Sequence, residues 1–107
     1  MSQQMDYERM GGTLFLHLPP EIDHHSSQEI RERTEAYLQQ GGIRQIVFDF
    51  SRTSFMDSSG IGAILGRYKR MREIGGRVAV CNADERIRRI LRISGVDQLV
   101  PEWENRQ

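Results

Sequence analysis

Residues 54–62, Ser54-Phe55-Met56-Asp57-Ser58-Ser59-Gly60-Ile61-Gly62, join a nearly continuous apolar run, Gln45-Ile46-Val47-Phe48-Asp49-Phe50, to a long amphipathic segment. An apolar run of strand length is the pattern of a central strand covered by other structure. From Ser59 to Ile74, the positions Ile61, Ile64, Leu65, Tyr68 and Met71 mark one face of a helix that Gly75-Gly76 ends. The stretch between is therefore a strand-to-helix turn carrying two hydroxyls. A serine just before or in the first turn of a helix can cap free backbone N–H groups. The same position tolerates a phosphate, because those donors and the helix dipole favour negative charge. On these grounds the turn is structural, catalytic or a switch.

Toward the N-terminus, Met5 to Met10 and Thr13 to Leu18 flank Gly11-Gly12, and Leu14, Leu16 and Leu18 alternate with Thr13, Phe15 and His17. That pattern predicts a hairpin with a two-glycine turn. His17 falls on the more polar side of its strand and reads as a solvated or cross-strand residue with no catalytic role. Pro19-Pro20 stops the second strand, since proline cannot donate to a ladder, and delivers a loop Glu21-Ile22-Asp23-His24-His25. Ser26 with Glu29 has the spacing of a capping box, which predicts a helix from Ser27 to Gln40 with Gly41-Gly42 as its stop. Toward the C-terminus follow a strand Val78 to Cys81 and a helix capped by Asp84 with Ile87, Ile90 and Leu91 inward and Gly95 as its end. A short strand Gln98-Leu99-Val100 and a break at Pro101 come next. The tail through Trp103 is expected at the periphery.

This order predicts an α/β fold: a mixed sheet of about five strands, with parallel pairs joined by helical crossovers and one antiparallel hairpin strand. If the strands ending at Leu18 and Phe50 are parallel, the loops leaving them emerge at one edge of the sheet, where open α/β folds place their sites. Asp23 and Ser58 then become neighbours.

The 107 residues fit one domain, residues 1–107, and fifteen basic residues cancel fifteen acidic ones. Neutrality removes the bulk electrostatic argument for nucleic acid or an anionic membrane and directs attention to a protein or small-molecule partner. No apolar run approaches the ~20 residues that span a bilayer, and Met1 to Glu8 lacks a signal-peptide pattern, so a soluble cytoplasmic protein is expected. Cys81 is the only cysteine, which rules out an internal disulfide and a cysteine metal cluster. Charge is nonetheless segregated: Arg67 to Arg92 holds nine basic residues against three acidic, leaving six against twelve elsewhere. Either the arginines gather at helix C-termini and on solvated faces, or they dock an acidic partner.

Catalytic readings of the turn find little support. Met56 rather than glycine lies two before Ser58, so the Gly-x-Ser-x-Gly elbow of hydrolases is missing. A Ser-His-Asp arrangement would have to recruit His24 or His25 with Asp23 or Asp57. No Gly-rich loop ends in Gly-Lys-Ser/Thr, and His24-His25 with Asp23 lacks further ligands at metal spacing, so neither a cofactor nor a metal is expected. Gly62 and Gly66 are more informative. They lie four apart inside the helix, and each costs on the order of 1 kcal/mol relative to alanine. Either a neighbouring element packs very close to that smooth stripe or a partner protein lies across it.

The turn, followed by Ile64-Leu65-Gly66-Arg67-Tyr68-Lys69, resembles the anti-sigma factor antagonists of the STAS domain family. Glu21-Ile22-Asp23-His24-His25, Gly75-Gly76, Val80-Cys81 and Ser94-Gly95 fall where that family places them, and the Asp-His-His and Gly-Arg-Tyr-Lys stretches point to its sporulation branch. The resemblance implies the STAS fold and a protein that is not an enzyme. Its unmodified form would bind an anti-sigma factor that is also a serine kinase, displacing the sigma factor so that transcription can start. Phosphorylation would switch binding off, and a PP2C-type phosphatase would reset it. By motif position the phosphorylated residue is Ser58, with Ser59 supporting the helix start. Asp23, and more weakly Glu21, match the acidic contact to the kinase, while Ile61, Gly62 and Gly66 match the docking helix face beside Asp57 and Gly60. A monomer is the simpler expectation. The alternative is a STAS scaffold or nucleotide-binding module without such switching. One departure from the family pattern is expected at the C-terminus, where the residues after Trp103 are too few for most of the final helix that many members carry.

Overall fold

The computed structural model describes residues 5–104. Strands β1 (Asp6–Met10) and β2 (Thr13–His17) form the expected hairpin, with Tyr7 opposite Leu16. β2 alternates as its sequence requires: Leu14 and Leu16 are buried, whereas Thr13, Phe15 and His17 are half-buried. β3 (Glu21–Ile22) leads into helix α1 (His24–Gln40), which crosses to β4 (Gln45–Asp49). β5 (Phe55–Met56) leads into helix α2 (Ser58–Glu73), which crosses to β6 (Arg77–Cys81). Helices α3 (Glu85–Ile93) and α4 (Val96–Leu99) follow.

The main sheet has the order β1-β2-β4-β6, antiparallel between β1 and β2 and parallel elsewhere, with Leu16 beside Phe48 and Phe48 beside Val80. β3 and β5 form a separate parallel pair. The α/β class, the mixed sheet and the helical crossovers are as the sequence predicts. The core lies where Leu14, Leu16, Ile46, Phe48, Val78 and Val80 meet Ile30 of α1 and Ala63, Ile64 and Met71 of α2. Burial of the Val, Leu, Ile, Phe and Met side chains among them is worth roughly 1.5–3 kcal/mol each, which makes it the main stabilising term.

Four local expectations change. The cap of α1 is Asp23 rather than Ser26. Asp23 accepts from the Ser26 N–H at 2.9 Å, and the Ser26 hydroxyl returns to the Asp23 N–H at 2.9 Å, so the capping box lies three residues upstream of the one expected with Glu29. The loop expected over 21–25 is therefore the strand β3 followed by the first turn of α1. Gln98 and Leu99 are helical, not extended, because Gly95 in the left-handed region at φ 81° turns the chain straight into α4. The tail takes the vacant sheet edge instead. Glu102 bridges Val80 in parallel sense, with Val80 N–H to Pro101 O at 3.0 Å and Trp103 N–H to Val80 O at 2.8 Å. Nor is Trp103 peripheral. It is half-buried and packs edge-on at 5.1 Å against Phe15, which points away from the face that carries Leu14 and Leu16.

Candidate docking and modification site

Parallel pairing of β2, β4 and β6 sends all three following loops to one edge of the sheet. There the short β3–β5 ladder aligns Ile22 with Met56, so the next residues, Asp23 and Asp57, stand side by side. The alignment is fixed from below by Thr53 Oγ1 to Pro19 O at 2.8 Å, Ser54 N–H to Pro20 O at 2.8 Å and Asp57 N–H to Ile22 O at 3.1 Å. Both aspartates cap helices, and Asp84 caps α3 in the same way through the Ile87 N–H at 2.9 Å. The predicted proximity of the 23 and 58 segments is thus produced by topology.

The two serines have different surroundings. Ser59 is half-buried: its hydroxyl donates a short hydrogen bond to Asp57 Oδ1, its N–H donates to the same oxygen at 2.9 Å, and the buried Ser27 hydroxyl reaches it at 3.4 Å. Ser58, the first residue of α2, is exposed, and its hydroxyl makes no hydrogen bond among the described residues. Ser59 therefore builds the helix start, while Ser58 presents a free nucleophilic oxygen. Neither His24 nor His25, both exposed in the first turn of α1, hydrogen-bonds to Ser58 among the described residues.

Both carboxylates are held ionised. The Ser59 hydroxyl, helped by the backbone N–H groups of Ser59 and Gly60, pulls the Asp57 carboxyl below its usual range against the opposing charge of Asp23. Asp23 is lowered chiefly by the Ser26 N–H. Two adjacent negative charges thus border Ser58 at neutral pH.

The glycines divide by role. A Cβ on Gly60 would lie 2.5 Å from Met56 Cγ and 2.9 Å from Ile22 Cγ2, so this buried glycine lets α2 seat on the β3–β5 pair. A Cβ on Gly62 or Gly66 would meet nothing within 4 Å. Close packing by the described residues is therefore not the reason for the stripe. Ile61, half-buried, and Gly62 extend the surface from Ser58 along α2, and Glu21 lies exposed one residue before Ile22. Underneath, the Arg70 guanidinium grips the Glu35 carboxylate at 2.9 and 3.2 Å and Arg67 reaches it at 3.1 Å, clamping α2 to α1 and holding Glu35 below the normal carboxylate range.

Phe55, which the sequence reading passed over, is 48% exposed at the same edge. Its signal is the two-residue period of a strand: Met56 points in at 3% exposure, so Phe55 points out.

The STAS domain family profile matches residues 4–107. The chain is 37% identical over 105 residues to the anti-sigma F factor antagonist of Paenibacillus polymyxa, covering 98% of this chain and 90% of that protein. Among solved structures it superposes on the anti-sigma factor antagonist SpoIIAA in its unphosphorylated form with a TM-score of 0.84 at 30% identity, covering 95% of this chain and 90% of the other. On the Bacillus cell fate determinant SpoIIAA in the phosphorylated form, the TM-score is 0.76 at 30% identity, covering 95% and 93%. Sheet order, paired helix starts and sequence thus agree: the chain belongs to the STAS domain family and, within it, to the anti-sigma factor antagonists.

Proposed function

We propose that the unphosphorylated chain, acting as a cytoplasmic monomer formed by one STAS domain, binds an anti-sigma factor that is also its serine kinase, and so releases a sigma factor of the sporulation type. In this reading the chain is the substrate of the kinase rather than an enzyme. The docking surface consists of Glu21, Asp23, Asp57, Ser59, Ile61, Gly62 and Gly66, with Gly60 setting its shape from below. Ser58 is the phosphorylated residue, and a PP2C-type phosphatase restores the binding form.

One observation carries the reading: the hydroxyl of Ser58, exposed and without a hydrogen bond among the described residues, stands at the rim of a surface whose Gly62 and Gly66 have room for a Cβ with no described atom within 4 Å. A phosphate there adds roughly −1.5 to −2 charges beside Asp57 and Asp23, so like-charge repulsion and desolvation oppose docking. The N-terminus of α2 offsets part of that charge, and the fold survives. A loss of ~3 kcal/mol already lowers affinity more than a hundredfold. That the similar SpoIIAA structures include a phosphorylated and an unphosphorylated form supports a switch of this kind.

Calorimetric titration of the cognate anti-sigma factor with Ser58→Asp and Ser58→Ala tests the charge argument. The aspartate variant is expected to bind at least tenfold more weakly, and the alanine variant to bind like the unmodified protein. Equal affinities would contradict the repulsion mechanism.

A further inference from the structure

The basic segment has a residue-by-residue explanation that stops short at four residues: Lys69 well along α2, Arg77 at the opposite sheet edge, and Arg86 and Arg89 on α3, the only two of the four on the helix that packs against β5 just before Asp57. Arg67 and Arg70 hold Glu35, Arg70 and Arg72 sit in the last turn of α2, Arg88 pairs with Glu102 at 3.3 Å, and Arg92 lies in the last turn of α3. A cation in a last turn is favoured by the helix dipole. Arg86, in the first turn of α3, is disfavoured by the same dipole, and Arg89 lies mid-helix where the dipole contributes little. Both are exposed, and neither makes an ion pair among the described residues. Nothing in the fold accounts for them.

Their position is informative. β6 runs parallel to β4, so α3 starts at the same sheet edge as α1 and α2. It packs against β5, the strand that carries the exposed Phe55 and ends beside Asp57. Arg88 faces the C-terminal segment through Glu102, and Arg86, about 200° away around the helix, occupies the opposite flank. The edge thus presents acidic Asp23 and Asp57, apolar Phe55, and a helix on which Arg86 and Arg89 make no ion pair among the described residues.

We infer that Arg86 and Arg89 of α3 form a second, basic half of the docking surface, which receives an acidic segment of the same protein partner that contacts Asp23 and Asp57. The inference rests on the proposed docking function. A surface of both signs fixes the orientation of the partner and steers its approach, and such steering appears mainly in the association rate and its salt dependence.

The test is stopped-flow association of the purified anti-sigma factor with three proteins: the unmodified chain, Arg86→Glu/Arg89→Glu, and Arg44→Glu/Arg77→Glu. The last has the same charge change at the opposite edge, where Arg44 immediately precedes β4 and Arg77 opens β6. Circular dichroism melts establish that all three are folded. The α3 variant is expected to associate about tenfold more slowly at low salt and to lose much of its salt dependence, with the control close to the unmodified chain. Equal slowing of both variants, or none in the α3 variant, overturns the inference. So does an α3 variant that loses binding to duplex DNA or anionic lipid vesicles while keeping its rate with the anti-sigma factor. If the unmodified chain itself fails to bind, the docking function falls, and this inference falls with it.

Discussion

Ser58 and Ser59 are adjacent and chemically identical, yet the fold gives them opposite tasks. Asp57 caps α2 and takes two hydrogen bonds from Ser59, so Ser59 is spent on structure, whereas Ser58 faces solvent. Ser59→Ala should remove the hydroxyl bond to Asp57 and the contact to Ser27, lowering stability by about 1 kcal/mol. Phosphate acceptance at position 58 should persist. Urea unfolding, read beside a kinase assay, checks both parts. Stability unchanged and phosphorylation abolished would mean that Ser59 is itself the acceptor. The sequence pointed to Ser58 only through resemblance, because capping propensity is the same for both serines and only the backbone trajectory separates them. The Asp23 cap was missed for a related reason: Asp23, Ser26 and Glu29 all suit capping, and the spacing alone favoured the later pair.

Among elements, α2 offers the sharpest separation of stability from function. Gly60→Ala pushes a methyl into Met56 and Ile22 and should cost roughly 1–3 kcal/mol. Gly62→Ala and Gly66→Ala enter open space and should stabilise the helix by roughly 0.5–1 kcal/mol each. If a partner lies on the stripe, those stabilised variants should bind about tenfold more weakly, and thermal melts with binding isotherms would show the opposed trends. Gains in both stability and affinity would remove the stripe from the docking surface. The sequence showed helices, hairpin and central strand through periodicity, but β3 and β5 are two residues long, too short for any period to register. Residues 98–100 looked like a strand because Leu99 and Val100 are apolar beside a proline. The left-handed Gly95 and the edge pairing of Glu102 decide otherwise, and both depend on tertiary placement.

The main sheet carries its own ionic tie. His17 Nδ1 lies 2.7 Å from Asp49 and Nε2 lies 3.1 Å from Glu8, so one imidazole links β1, β2 and β4. The hydrogen bond to Asp49 raises the His17 pKa above 6.5 despite partial burial. Burial opposes the charge of Asp49, but bonds from Asn82, His17 and Ser51 outweigh it and keep that carboxyl below its usual range. A raised imidazole pKa contributes stability that is fully present below the unfolded value of 6.5 and is lost as pH rises through the folded value. Urea midpoints should therefore decline as pH rises above 6.5, and His17→Gln should flatten that decline. The same slope in both proteins would show that the tie contributes nothing. Periodicity had placed His17 correctly on the polar side of β2, but its partners come from β1 and β4, and no local signal names them.

At the scale of the molecule, three parallel strands deliver three aspartate-capped helices to one edge, and that edge gathers the exposed Ser58, Gly62 and Phe55. Ser58 is the first residue of α2, directly after β5 and the Asp57 cap, and is too constrained to be threaded into an active site as a flexible peptide. A kinase that modifies Ser58 should therefore recognise the folded domain, so that in the proposed function one surface serves both binding and modification. Incubation of the folded protein with its cognate anti-sigma kinase and ATP, followed by intact mass measurement and site mapping, tests this most directly. One added phosphate on Ser58 is the predicted result; no phosphate in the presence of folded kinase, or phosphate on Ser59 with Ser58 unmodified, would contradict it.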